Sequence, residues 1–193
     1  MTEPSRLDLR QLPTFQTRRL ILRAFLPQDA PDVQRLAGER AIAATTASIP
    51  HPYPDGVAEA WIAAQPELRA RAESLVFAVT QLQDGRLIGA VGLGLRLEHS
   101  HAELGYWIGH PYWGHGYCTE AAAEILRFAF ETLRLHRIYA VHFAGNPASG
   151  RVMQKLGMRF EGRRRQHILK WGRFEDLDGY ALLLPEYELA QSS

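Results

Sequence analysis

The chain has 193 residues, 46% of them hydrophobic and 22% charged, enough for one domain with a sizeable core. Its formal net charge of +1 argues against a dedicated nucleic-acid binder, and no apolar run approaches the roughly 18 residues of a membrane span. The single cysteine, Cys118, excludes an internal disulfide and a cysteine-based zinc cage.

Residues 1–17 are polar, carry Pro4 and Pro13, and read as an arm. They lack the apolar h-region of a secretory signal, so a cytoplasmic protein is expected. Residues 19–25 read as a first strand. Pro27 with Gln28 and Asp29 opens a helix carrying Val33, Leu36 and Ala37 and ending near Gly38. Three prolines in residues 45–55 point to a loop. Helix formers dominate residues 56–72, with a break or kink expected at Pro66. Residues 75–81 and 87–95 read as a hairpin around Asp84-Gly85. Gly89, Gly92 and Gly94 in the return strand suggest a bulge or a close backbone approach.

Residues 101–109 alternate with period two. Ala102, Leu104, Tyr106 and Ile108 form the more apolar face; Glu103, Gly105 and Trp107 share the other with His101. From His115 to Arg134 the period becomes helical, with Ala122, Ile125, Leu126, Phe128, Ala129 and Leu133 in one stripe. Residues 138–143 read as a buried strand. Asn146-Pro147 starts a helix, with asparagine as cap and proline at the first position, and Gly157 ends it. Residues 160–170 and 174–184 pair as a last hairpin around Trp171-Gly172, with Arg163 to Arg165 along a solvated edge. The order of elements predicts an α/β (α+β) domain, a mixed sheet with helices packed on it.

The most informative stretch runs from Trp113 to Thr119, where a strand gives way to a glycine-containing loop and then a helix. Gly114 and Gly116 let backbone N–H groups turn inward, and the helix N-terminus adds its own unsatisfied N–H groups, a seat suited to a pyrophosphate. No Gly-Lys-Ser/Thr follows, which excludes a Walker loop, and Glu120 replaces the third glycine of a dinucleotide fingerprint. An ordinary tight connection remains the alternative on this loop alone.

The segment resembles the coenzyme A loop of the GCN5-related N-acetyltransferases (GNAT), of general form Gln/Arg-x-x-Gly-x-Gly/Ala. Trp113, Gly116 and Cys118 occupy its first, central and last places. Residues 112–121 look closest to the RimJ/RimL branch, the ribosomal-protein N-terminal acetyltransferases. Asn146-Pro147-Ala148-Ser149, then Lys155-Leu156-Gly157-Met158 with Glu161-Gly162, agree, as does the end from Gly172 to Leu183. Cys118 in place of a glycine or alanine is a mild departure. The resemblance implies a GNAT domain over residues 18–187, with 188–193 as a tail. It implies a mostly antiparallel sheet, splayed between two central parallel strands and flanked by helices.

It also implies acetyl-CoA as cosubstrate, held between strands 101–109 and 137–143, with no metal. Coenzyme contacts fall on Trp107, Ile108, Trp113, Gly114, His115, Gly116, Tyr117, Cys118, Thr119, Asn146, Ser149 and Arg151. A backbone N–H near Ile108 would polarise the thioester carbonyl. Glu103 is the candidate base and Ser149 the candidate acid, with Tyr139 and Tyr117 as weaker alternatives for the acid. Each has a plain structural alternative: a solvated carboxylate for Glu103, a helix cap for Asn146, a solvated charge for Arg151. Cys118 at a helix N-terminus invites a covalent role, but a ternary complex needs none. His99, His101, His110 and His115 lack helical ligand spacing, which disfavours a metal. The expected partner is an amine, either a protein N-terminus or a small molecule such as a polyamine or antibiotic. Neither nucleic acid nor membrane is expected as a partner, and the chain acts as a monomer or homodimer. A non-catalytic acyl-CoA sensor would carry the same loop.

Overall fold

The computed structural model describes residues 11–191. The chain joins the sheet earlier than the arm reading of residues 1–17 allows: β1 (Phe15–Gln16) pairs antiparallel with β2 (Leu20–Arg23). The cause is Phe15, whose ring lies 5.6 Å from Phe77 and 5.2 Å from Phe128, centroid to centroid. A side chain of that apolar area docks where it can be covered. Residues 1–10 of the expected arm lie outside the described residues.

A 3-10 turn at Pro27–Asp29 leads into α1 (Ala30–Ala37). A short α2 (Arg40–Ala43), not expected from the sequence, precedes the proline-rich loop, and α3 (Val57–Ala70) follows. The break expected at Pro66 does not occur. The proline removes one N–H donor, while buried Ala58, Ile62 and Gln65 keep the helix seated. The β3 (Ser74–Gln81) and β4 (Leu87–Arg96) hairpin turns at Gly85, which sits at φ +72°. Next come β5 (His101–Ile108) and α4 (Tyr117–Arg127), whose end widens into a π-helical turn at Phe128–Thr132. Then follow β6 (Arg137–Phe143), α5 (Pro147–Lys155), β7 (Arg159–Lys170), β8 (Arg173–Leu183) and α6 (Leu184–Gln191). The residues expected as a tail from 188 thus continue a helix to Gln191; residues 192–193 lie outside the described residues. The last hairpin turns at Trp171 and Gly172, both at positive φ (+48° and +79°), as a two-residue hairpin turn requires.

Among the described residues, eight strands form one sheet in the order β1-β2-β3-β4-β5-β6-β8-β7. All neighbours are antiparallel except β5 and β6. The α4 helix packs Ala121, Ala122, Ile125 and Leu126 onto one face, in a core with Leu20, Leu93, Ala102, Leu104 and Ile138. On the opposite face α1 and α3 bring Val33, Ala37, Ala58 and Ile62 against Ala78, Leu87 and Ala90. β7 is the edge strand at the end opposite β1 and carries Arg163 to Arg165 there; Arg163 grips the buried Asp178 through two bonds of 2.7 and 2.8 Å.

Gly89 and Gly92 have the close-approach role expected of the β4 glycines; Gly94 does not, since a Cβ there would come no nearer than 3.9 Å to its neighbours. A Cβ on Gly89 would stand 2.2 Å from the Trp107 carbonyl oxygen and 2.9 Å from the Ile108 Cα; one on Gly92 would stand 2.7 Å from the Leu75 carbonyl oxygen. Opposite Gly89, the β3–β4 ladder slips by one residue between Val79 and Thr80. Gly89→Ala should therefore force β4 and β5 apart and destabilise the protein by about 1–3 kcal/mol, measured as a lowered urea midpoint. An unchanged midpoint would show that the contact relaxes freely.

Candidate active site

The site begins where the central strands part. β5 and β6 pair in parallel only at His101, Ala102 and Glu103 with Arg137, Ile138 and Tyr139. Beyond Glu103 they diverge, as the sequence reading expects. On its other edge β5 stays paired to β4 through Ile108, and Gly109 N–H donates to Ile88 O at 2.8 Å. That bond sets the alternation: Tyr106 and Ile108 turn their own N–H and C=O groups away from β4, into the gap. An extended chain laid in the gap would meet the Tyr106 backbone groups and the Ile108 N–H; the Ile108 carbonyl is taken by the Trp113 indole N–H.

The loop after β5 closes one end of this gap. Gly114 and Gly116 both adopt left-handed backbone, at φ +78° and +79°. A Cβ on Gly114 would meet no protein atom within 4 Å, and one on Gly116 would meet only Arg19, at 3.6 Å. Internal packing therefore leaves the space beside both glycines unfilled. Gly116 is the N-cap of α4, so the N–H groups of Tyr117, Cys118 and Thr119 have no partner within the helix; the first intrahelical bond comes from Glu120 N–H to Gly116 O. Three contacts fix the loop in this shape. The Trp113 indole N–H donates to Ile108 O at 2.5 Å, the His115 ring meets Trp113 O through Nδ1 at 2.8 Å, and Arg19 Nη1 donates to His115 O at 3.0 Å.

Glu120 anchors the assembly from inside the first turn of α4. It accepts from the Thr17 hydroxyl at 2.6 Å, the Arg19 N–H at 2.8 Å and the Arg19 guanidinium at 2.7 Å. Burial alone would raise its carboxyl, but the Thr17 and Arg19 bonds outweigh it and hold the group below the usual carboxylate range. Sequence reading noted Glu120 only as standing where a dinucleotide fingerprint has its third glycine. Its partners lie about a hundred positions away, beyond any local pattern.

Ser149 lies in the first turn of α5, where Asn146 caps the helix by accepting from Ser149 N–H at 3.4 Å. The Ser149 hydroxyl is 3.0 Å from the Tyr106 hydroxyl, which also donates to Ser149 O at 3.1 Å. Tyr106 thus spans the gap from β5 to α5. Burial, with Cys118 nearby, pushes its phenol further above the ordinary value, so it stays a neutral donor. This residue was read from the sequence only as a strand position.

Glu103 stands at the branch point of the two strands, exposed, on the face that carries Trp107. It accepts from the Tyr139 hydroxyl at 3.2 Å. Tyr139, weighed from the sequence as a possible acid, is directed at this carboxylate instead. Tyr117, the other alternative, stacks on His115 beneath the Arg19 guanidinium and accepts from Gln81 Nε2 at 3.3 Å. Glu103 and Ser149 share no hydrogen bond; they flank the gap from opposite sheet faces. Arg151 is exposed on α5, and the four histidines 99, 101, 110 and 115 do not converge: among the described residues no cluster of three or more His, Cys, Asp or Glu could hold a metal.

Cys118 packs against the core beneath the loop, and burial pushes its thiol up to about 12. The thiolate that a helix N-terminus favours is absent at neutral pH because desolvation dominates. Cys118→Ala should retain most of the activity, and the wild-type thiol should resist iodoacetamide at pH 8. Rapid alkylation together with an acetyl adduct on Cys118 would restore the covalent reading.

The site is thus a strand edge opened by the splay, ending at a helix-capped glycine loop. The profile of the acetyltransferase (GNAT) domain matches residues 19–159, and the chain belongs to that family. It is 36% identical over 100 residues to the uncharacterized N-acetyltransferase YoaA of Bacillus subtilis (strain 168), covering 51% of this chain and 56% of that protein. The chain likewise spans 59% and 65% of the length of two further relatives from the same bacterium. It is 29% identical over 139 residues to the [ribosomal protein uS5]-alanine N-acetyltransferase of Escherichia coli (strain K12), covering 71% of each. The crystal structure of a GNAT-family acetyltransferase from Bacillus anthracis superposes with a TM-score of 0.80 at 25% identity, over 90% of this chain and all of that one.

Proposed function

We propose that this protein transfers an acetyl group from acetyl-CoA to a primary amine, by direct attack within a ternary complex. The observation that carries this reading is the gap between β5 and β6, with the Tyr106 backbone groups and the Ile108 N–H on one wall and the Gly114–Thr119 loop at its mouth. The residues present fit the group. The N–H groups of Tyr117, Cys118 and Thr119, with the left-handed glycines, would hold the pyrophosphate, and the β5 edge would hold the pantetheine arm. Asn146, the cap of α5, and Arg151, exposed on that helix, are the further candidates for coenzyme contact. Acetyl-CoA supplies an activated thioester.

The chain's own groups then divide the work. A β5 N–H, from Tyr106 or Ile108, donates to the thioester carbonyl oxygen as negative charge grows there. Glu103 takes the proton lost by the amine, directly or through water, as the new C–N bond forms. Ser149 passes a proton to the departing sulfur as the C–S bond breaks and takes one from water in the same step, with Tyr106 fixing the direction of its hydroxyl. The E. coli relative is named for N-terminal alanine acetylation, which favours a protein N-terminal α-amine as acceptor. A polyamine or antibiotic amine is the second reading, and a non-catalytic coenzyme sensor the third.

The test incubates the protein with acetyl-CoA and a panel of alanine-initiated peptides, spermidine and lysine, reading free thiol and product mass together. Thiol release matched by an acetylated amine is the expected result. Coenzyme binding without consumption of any amine would identify a sensor instead.

A further inference from the structure

The sheet face opposite α4 and α5 holds a cavity of about 500 Å³ beside Asn146. The loop of residues 45–55 and the tip of the β7–β8 hairpin close together over it: Lys170 Nζ donates to Ile49 O at 3.1 Å and to Ala47 O at 3.5 Å, and the His51 and Trp171 rings lie 6.0 Å apart. Arg40, Lys170 and Arg173 line the cavity, and its one carboxylate is Glu175. That carboxylate lies 3.9 Å from Arg173. Among the described residues neither Arg40 nor Lys170 forms an ion pair; Arg40 lies over the Trp171 ring at 5.5 Å and Lys170 beside it at 5.1 Å. Burial without a counter-charge lowers the Lys170 ammonium from its ordinary value.

We propose that the acceptor is a primary amine carrying an anionic group, a carboxylate or a phosphate, which seats against Arg40, Lys170 and Arg173 while the amine points toward Asn146 and the gap between β5 and β6. The inference rests on the acetyl-transfer reading above and names its substrate class. Two cations with no carboxylate of their own, in one enclosure, repel each other and any polycationic acceptor. An anion relieves that repulsion, and Arg40 and Arg173 offer it the planar donor pairs suited to carboxylate and phosphate. Trp171 supplies an apolar wall for the intervening carbons. Both arginines are exposed, so water screens the attraction and the preference is moderate rather than absolute.

The experiment measures kcat and KM for three peptide amides that share an N-terminal alanine: Ala-Asp-Glu, Ala-Asn-Gln and Ala-Lys-Lys. Ethanolamine phosphate against ethanolamine forms a second arm that separates phosphate from carboxylate. The acidic peptide should show a KM about tenfold below its amide twin, and the basic peptide a KM above both. Arg40→Gln, with Arg173→Gln as a second variant, should bring the acidic-to-amide ratio toward one. Equal KM values across the peptides, with acetylation intact, overturn the proposal alone. So does an Arg40→Gln variant that weakens all three peptides in step, the mark of a purely structural role. Acetylation of no amine at all overturns the acetyl-transfer reading and this proposal together.

Discussion

Gly116→Asp should lower the affinity for acetyl-CoA by about a hundredfold or more, roughly 2.8 kcal/mol, while the protein still folds. The residue caps α4 in left-handed backbone, with only Arg19 near its missing side chain. Aspartate is among the residues that tolerate this backbone region and suits an N-cap. The Arg19 guanidinium, 3.6 Å from the position of the new Cβ, offers it a counter-charge. Folding is therefore preserved, whereas the seat proposed for the pyrophosphate gains both bulk and like charge. Calorimetric titration reads the affinity, and a thermal melt confirms the fold. A folded variant with wild-type affinity would remove the loop from the coenzyme site.

Ser149→Ala should lower kcat by about a hundredfold if delivery of the proton to sulfur limits the rate, with acetyl-CoA affinity little changed. Thiolate is a fairly good leaving group, which places this effect at the low end of acid catalysis. Tyr106→Phe should cost less, about tenfold, because Tyr106 acts through Ser149 and not on the substrate. The double variant should be no slower than Ser149→Ala alone, since residues acting as a unit do not add. Full additivity would separate the two roles. For Glu103→Gln the loss should depend on the amine. Neutralising an α-amine at pH 7 costs only about 1–1.4 kcal/mol, against about 4.6 for a lysine-like amine. The variant should thus impair lysine-like acceptors more, and most at low pH. Wild-type kcat in both Ser149→Ala and Glu103→Gln from pH 6 to 9 would leave catalysis to positioning and the β5 backbone donor.

Local patterns carried most of the fold. The period change after Gly109, the Asn146-Pro147 cap and the Asp84-Gly85 turn each state a backbone preference in a few adjacent residues. What escaped has physical reasons. β1 has only two residues, and its pull into the sheet comes from Phe15 finding Phe77 and Phe128. The four residues of α2 span barely one helical turn, too short for a period. In α6 the apolar residues make no stripe and none is buried. The π-helical turn leaves a trace: Phe128, Ala129 and Phe130 are consecutive and all buried, which a regular α-helix packed on one face does not allow.

The candidate site was legible where its chemistry is local. The glycine loop and the capped turn of α5 were visible because backbone N–H groups there depend on neighbouring residues. The Tyr106–Ser149 contact joins positions 43 apart, and the Glu120 anchor joins positions about 101 apart, so neither leaves a pattern in the sequence. Trp113 was expected at the coenzyme, yet its indole N–H is committed to the Ile108 carbonyl. It acts as a strut that holds the loop against the end of β5.

The central claim is that the gap between β5 and β6 is the coenzyme channel, and a crystal structure with bound coenzyme A tests it most directly. The account predicts the pyrophosphate on the N–H groups of residues 117–119 and the pantetheine arm paired to the Tyr106 and Ile108 edge. The sulfur should then lie within hydrogen-bonding reach of the Ser149 hydroxyl. A coenzyme bound elsewhere, with the gap empty and the Gly114–Thr119 loop untouched, would contradict it.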